Sequence, residues 1–366
     1  MNSTAITTVD LSALKHNLHL ISQMMPRQKI MAMVKSNAYG HGLIHAAKVL
    51  QNVDALGVAT ISEALQLREA GIDTDIVVMR GFVITDEIAV FLNDNRLIAC
   101  IHDSKQLTLL EQNKISNDAR LRIWLKVDTG MHRLGIPHDS FQAIYDRLNH
   151  LSFIAKPFVV CSHLADADNI EPTFTQQQIT CFEQTTQHIM NEKSILNSAG
   201  ILAYPEAHYD WIRPGLMLYG VSPFDHHGQH DVVMKKFIPA MTLESKLIAI
   251  KEVKAGEKIG YSCMFTAPHD MRIGIVGMGY GDSYPRHAKN GTPVLIHGQR
   301  CAIVGRVSMD MIAVDVSPLK NVVVDDTVTL WGRDLSVAEI ARCVNTISHE
   351  LLCHLTGRVQ RVYFGQ

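Results

Sequence analysis

Short apolar runs alternate with helix-period segments from about residue 28 to 220, and turn-punctuated β runs then take over. This order predicts a (β/α)8 barrel of the TIM type followed by a mostly β domain. Eight candidate strands cover residues 29–34, 55–60, 75–80, 97–102, 121–127, 157–162, 194–197 and 212–219. Eight runs suit a closed barrel better than an open sheet. The eighth run is the weakest, because Pro214 sits inside it. Amphipathic stretches at 62–70, 103–112 and 173–191 are long enough for right-handed crossover helices. After FDHHGQHD, residues 224–231, the β runs 241–250, 293–296, 302–304, 311–316 and 328–331 are separated by Gly, Pro, Asn and Asp turns. A helical stretch at 337–355 and a last strand at 361–364 follow. The domains are drawn at 1–230 and 231–366, a division that suits 366 residues.

Composition removes several functions. The 34 Lys and Arg against 36 Asp and Glu give a net charge of −2 with no long like-charge run, so the surface is not built to hold nucleic acid or anionic lipid. No apolar run approaches the roughly 18 residues of a membrane span. The beginning MNSTAITTVDLSALKHNLHL lacks the basic start and apolar core of a secretory signal. The seven cysteines are odd in number and show no CxxC spacing, which suits reduced structural thiols. A cytoplasmic protein is expected.

Function in such a barrel gathers where strands run into their C-terminal loops. The first strand ends in MAMVKSNAYGHG, placing Lys35 after an apolar run and before a Gly-rich loop. A lysine at the end of a buried strand loses hydration and keeps the free amine that Schiff-base chemistry needs. On this motif alone, a lysine snorkelling to the rim fits equally well. The later strand ends add KVDTGMHR (126–133), SHLADAD (162–168), NSAG (197–200) and RPG (213–215). Tyr39, Ser198 and backbone N–H groups near Gly215 suit a phosphate, while Arg213 and His163 suit an aromatic ring. An amine, a phosphate cradle and a ring clamp together describe a pyridoxal phosphate site.

AMVKSNAYGHG, KVDTGMHRLG, SHLADAD, RPGLMLYG, GYGDSYPR and GRVSMDM, in this order over nearly the whole chain, resemble the motifs of the alanine racemase family. The resemblance implies a fold-type III pyridoxal phosphate enzyme working as a head-to-tail homodimer on alanine, and it assigns roles residue by residue. Lys35 holds the cofactor as a Schiff base and serves as the base on one face of the substrate. Racemisation needs a second acid-base group on the opposite face, and Tyr261, in KIGYSCMF, matches the tyrosine the partner subunit supplies. A phenol gives up its proton reluctantly, and His163 and Arg213 are the candidate positive charges to help it.

Arg213 matches the residue facing the pyridine nitrogen. A guanidinium can only donate, so it leaves that nitrogen unprotonated and weakens the ring as an electron sink. Tyr39, His163, Asn197, Ser198, Gly215, Leu216 and His349 complete the implied cofactor contacts. Arg133 matches an arginine on the cofactor phenol and substrate carboxylate. Lys126 matches a lysine that carries a carbamate in many members and orients that arginine. Met309, with Asp310 beside it, matches a residue whose backbone N–H binds the substrate carboxylate across the dimer.

Two departures stand out. Ser262 follows Tyr261 where the family usually has Gly. His349 stands where it usually has Tyr, and a shorter, titratable ring there is expected to reshape the substrate gate, admit serine more readily and make activity more pH-sensitive. Rival readings are a broader alanine/serine racemase, a fold-type III decarboxylase and a non-enzymatic pyridoxal phosphate carrier. Carriers end after the barrel, and the decarboxylases use a different second-base motif. His226, His227 and His230 lack a metal-site spacing, so no metal is expected. GMGYGDS, residues 277–283, imitates a dinucleotide loop without its strand-helix setting.

Overall fold

The structure is a computed structural model describing residues 4–169, 171–224 and 230–365. In its first sheet, the parallel strands Lys29–Met33, Ala55–Val58, Ile76–Val78, Leu97–Ile101, Arg122–Asp128, Val159–Cys161, Lys193–Ser194 and Trp211–Ile212 pair in that order. Trp211 registers with Lys29 and closes the ring into an eight-stranded barrel. A short strand, Ile136–Pro137, hangs outside it on Arg122–Asp128. Helices cover the outside, so strands such as Leu97–Ile101 are buried at every residue and read as continuous apolar runs.

The helices begin where local chemistry starts them. Thr60 and Glu63 form a capping box before Ile61–Glu69, and Asp103 with Gln106 does the same before Ser104–Gln112. The helix expected over 173–191 ends earlier, as Thr173–Thr186.

The eighth strand is shorter than the expected 212–219. Only Trp211–Ile212 pairs; Pro214 has no N–H to give a ladder, and Leu216–Tyr219 winds into a 3-10 turn. This turn lines the site described below.

In the second sheet, Met271–Val276, Ile312–Asp315, Gln299–Ile303, Pro293–Ile296, Thr327–Trp331 and Met241–Val253 pair in succession, and the first pairs again with the last to close six strands into a ring. Ile6–Asp10 joins this sheet, not the barrel to which the division at residue 230 assigned it; it runs antiparallel to Met241–Val253 and parallel to Gln360–Phe364. Sequence order hides such a return. The helical stretch at 337–355 is two helices, Val337–Cys343 and Ser348–Cys353, parted near Asn345, whose φ is 54°.

Buried Asn17, on the helix Leu11–Met24, ties the barrel to the connection between the domains. Its Nδ2 donates to Leu218 O (2.9 Å) and Ile238 O (2.8 Å), and its Oδ1 accepts from the Ile238 N–H (2.8 Å). His226 and His227 lie outside the described residues. Among the described residues no group of three metal-binding side chains occurs, and no helix is long and apolar enough to cross a membrane.

Asn17→Leu keeps the volume but takes the partner from three backbone groups, one buried and two partly buried, so we expect a loss of about 3 kcal/mol, read as a lower denaturation midpoint.

Candidate active site

A cavity of about 740 Å³ opens at the C-terminal ends of the barrel strands. Lys35, Tyr39, Lys126, Arg133, His163, Asn197, Ser198, Arg213, Gly215, Leu216 and His349 all line it, so eleven residues scattered over the sequence converge on one space. Arg80 joins Lys35, Lys126, Arg133 and Arg213, against Asp168 as the carboxylate in the wall. Such a cavity attracts anions.

Lys35 follows directly on the first barrel strand. Burial, then the charges of Arg133 and Lys126, push its ammonium below the usual lysine range and favour the free amine. The Gly-rich loop expected after it is in fact a left-handed turn of ordinary residues: Ser36, Asn37, Ala38 and Tyr39 all have φ between 51° and 55°. L-residues resist this conformation by about 1–2 kcal/mol each.

Surrounding contacts hold the turn. Glu63, already a helix cap, accepts the Ser36 N–H (2.7 Å), and Asn37 Oδ1 accepts the Leu43 N–H (2.8 Å). His41 Nδ1 lies 3.1 Å from Ala38 O and 2.9 Å from Tyr39 O. The second domain closes over it, as Arg361 Nε donates to Gly40 O (2.9 Å) and a Cβ on Gly40 would sit 1.9 Å from Leu352 O.

The turn aims Tyr39 at the cavity floor, stacked on Tyr219 with centroids 4.9 Å apart. Opposite, Asn197 caps the helix Ser198–Ala203, and Ser198 Oγ accepts the N–H groups of Gly215 (2.9 Å) and Met217 (3.3 Å). The Gly215 N–H is therefore engaged within the protein. The hydroxyl proton of Ser198 remains to donate outward. A Cβ on Gly215 would lie 2.6 Å from the Tyr39 hydroxyl, which keeps this floor open to glycine only.

Arg213 is buried and heavily anchored: NH1 donates to Ser194 Oγ, NH2 to Ser162 O and Ile195 O, and NH2 lies 3.3 Å from His163 Nδ1. Burial first, then Arg213 and the other cations, push His163 well below its ordinary range, so its ring is neutral. This corrects the expectation that His163 contributes positive charge; Arg213 does. Lys126 is buried and also lowered, chiefly by burial, with Cys100, Cys161, Arg213 and Arg133 as its charged or polar surroundings.

Tyr261, Met309 and Asp310 do not line this cavity. Tyr261 stands two-thirds exposed (67%) between the paired strands Lys258–Ile259 and Phe265–Thr266. Ser262 has φ 60°, the conformation for which glycine is better suited. Met309 is half exposed (52%), its carbonyl taken by the Gly281 N–H, and Asp310 pairs with Arg358 (2.7 Å). The glycines of GMGYGDS serve this packing, since a Cβ on Gly279 would lie 2.3 Å from Ser308 O.

Sequence reasoning missed Glu63, His41 and Cys353. Cys353 lines the cavity four residues after His349 on the helix Ser348–Cys353, a spacing that places both on one helical face. His41 lay in plain view within the YGHG motif, but nothing in its neighbours signals a left-handed turn.

The fold and cavity define a class: a barrel enzyme built around a depressed lysine amine in a cationic, anion-accepting site, with a β domain packed on the lysine's own loop. Comparison with known proteins narrows it. Family models for the alanine racemase N-terminal and C-terminal domains match residues 9–223 and 240–363. The chain is 49% identical to an alanine racemase of Coxiella burnetii over 97% of this chain and 98% of that one, and 44% identical to one of Aliivibrio salmonicida over 99% of both. The crystal structure of the biosynthetic alanine racemase from Pseudomonas aeruginosa superposes over the full length of both chains with a TM-score of 0.94 at 39% identity. The chain belongs to the alanine racemase family, whose members are pyridoxal phosphate-dependent isomerases.

Because Arg133 helps to depress Lys35, Arg133→Gln is expected to raise the amine's pKa toward the ordinary lysine value. The pH profile of reductive methylation at Lys35, followed by mass spectrometry on cofactor-free protein, then moves to higher pH; an unmoved profile contradicts this coupling.

Proposed function

We propose that the protein interconverts L- and D-alanine with pyridoxal phosphate in a homodimer, in the cytoplasm, supplying D-alanine for peptidoglycan. The observation that carries the reading is the convergence of Lys35, the Ser198–Gly215–Tyr39 floor and Arg213 on one cationic cavity within an alanine racemase fold.

The residues present fit the cofactor. The floor that glycine keeps open, the outward hydroxyl of Ser198 and the start of the Leu216–Tyr219 turn suit a phosphate. Tyr39, Asn197 and His349 frame that end, and neutral His163 suits the face of a ring. When bound, pyridoxal phosphate supplies an electron sink that makes the proton on an amino acid's α-carbon removable.

The chain's own groups do the rest. Lys35, whose burial and cationic neighbours favour the free amine, moves the proton on one face. Arg213, donor-only and pinned to backbone carbonyls, keeps a ring nitrogen opposite it unprotonated, which limits the sink and favours prompt return of the proton. Arg133, at the exposed side of the cavity, takes the substrate carboxylate.

A second base must approach the opposite face. Tyr261 lies outside its own chain's cavity on an exposed turn, with Met309 also exposed, which supports their delivery to the partner subunit's cavity. Asp310, through Arg358, steadies the Met309 segment. Lys126, buried among thiols and cations, is the place for a carbamate formed from its amine and carbon dioxide with loss of a proton. That anion would orient Arg133. Intact mass spectrometry at neutral pH should show one added carbon dioxide that acid removes and Lys126→Met lacks.

A second reading, broader action on serine, is favoured by His349, which lines the cavity 5.6 Å from the Tyr39 ring. A β domain carrying Tyr261 and Met309 sets the protein apart from carriers that end after the barrel.

In heavy water, L-alanine should yield D-alanine with deuterium at Cα, and binding of cofactor without any D-amino acid would refute racemisation. His349→Tyr should lower the serine-to-alanine ratio; an equal or higher ratio removes the second reading. Mixing Lys35→Ala with Tyr261→Phe tests the shared site. Random reassociation restores about a quarter of wild-type activity if Tyr261 acts across the dimer, and none if it acts within its own chain.

A further inference from the structure

Between the barrel and the β domain lies a small cavity of about 40 Å³, bordered by His41, Tyr219, Ser222, Trp331 and Ser336 among others. Two buried polar atoms there, His41 Nε2 and Trp331 Nε1, have no protein partner. Both side chains are fully buried. Leaving such atoms unpaired is costly, and native proteins satisfy them with ordered water.

The chemistry of the two atoms selects the occupant. His41 Nδ1 faces two carbonyl oxygens, Ala38 O and Tyr39 O, so it must carry the ring proton. Nε2 is then an acceptor. Burial drives His41 down to about 4, which keeps the ring neutral. The indole of Trp331 can only donate. A molecule serving both must donate to His41 and accept from Trp331. Water does so, whereas chloride cannot donate and ammonium or an alkali cation cannot accept. One water needs roughly 10–15 Å³ of such space, so the cavity is large enough.

We infer that an ordered water bridges His41 Nε2 and Trp331 Nε1 across the two domains, and that by donating to Nε2 it supports the tautomer the two carbonyls select, making His41 a positioning residue that clamps the left-handed turn carrying Lys35 and Tyr39. The water links the β domain to the turn through His41 alone. Without it, Nε2 is a buried acceptor with no donor, and the tautomer that the two carbonyls select loses that support. Tyr219, with its ring centroid 4.4 Å from His41 and 4.9 Å from Tyr39, carries any shift of the imidazole to the cavity floor.

Three measurements on the full dimeric protein test this. A high-resolution crystal structure should show a solvent peak within hydrogen-bond distance of both atoms; an empty space, a peak on one atom only, an ion, or a rotated His41 bonded directly to Trp331 overturns the bridge. Nitrogen-15 NMR should find His41 protonated at Nδ1, and protonation at Nε2 overturns the clamp. Titration with pyridoxal phosphate should show about tenfold weaker binding for His41→Phe, which stacks but cannot donate. His41→Asn, whose amide N–H can stand in for Nδ1–H, should recover most of that loss. Trp331→Phe, away from the cofactor cavity, should weaken binding by about threefold. Unchanged affinity in both His41→Phe and Trp331→Phe overturns the positioning role. Only the titration rests on the proposed cofactor; the solvent peak and the tautomer stand or fall without it.

Discussion

The site depends on a stretch of backbone that the chain does not adopt willingly. Four consecutive non-glycine residues, Ser36 to Tyr39, are held left-handed immediately after Lys35. At about 1–2 kcal/mol each, this strain is comparable to a large part of a protein's net stability. It persists because its surroundings over-determine it. The barrel supplies Glu63 and Asn37, and the second domain supplies Arg361 and the Leu352 carbonyl against Gly40. The β domain therefore acts on the site from behind, by fixing the loop on which Lys35 and Tyr39 ride.

That rigidity has an electrostatic use. A flexible lysine would turn its ammonium toward water and keep an ordinary pKa. Held beside Arg133 and Lys126 in a poorly hydrated cavity, it becomes a free amine at lower pH. Burial, with the same field behind it, pushes His163 to neutrality while Arg213 stays charged, because a guanidinium holds its proton far more tightly than imidazole does. Burial and one set of cations thus favour a free amine, an uncharged imidazole and a permanent donor side by side. The difference lies in the intrinsic basicity of each group.

The barrel was legible in the sequence because buried parallel strands are continuous apolar runs, as in LIACI at Leu97–Ile101. Polar residues at their ends marked the cavity, which they line. What stayed hidden was set by long-range geometry. Ile6–Asp10 joins a sheet whose other strands lie more than 200 residues away, and no local pattern reports a partner at that distance. The left-handed turn was hidden because Ser, Ala and Tyr carry no signature for positive φ; only Asn37 hints at it. His163 misled because its neutrality comes first from burial in the folded cavity and then from Arg213, fifty residues on, rather than from its own sequence neighbours.

Racemisation imposes a geometry that one such cavity meets poorly. Lys35, Arg213 and the phosphate-suited floor all come from the barrel's own loops, so a flat ring held there would be surrounded from the barrel side. A proton donor for the far side must come from outside the barrel mouth. The protein's own Tyr261 is on an exposed turn of the β domain, braced by a two-stranded ribbon and outside that mouth. On the proposed reading, a second base on another subunit lets each base be held rigidly by its own fold, with no loop required to reach over the substrate. The cost would be a site that exists only as long as a dimer does, which would make stability of association and catalytic competence one property.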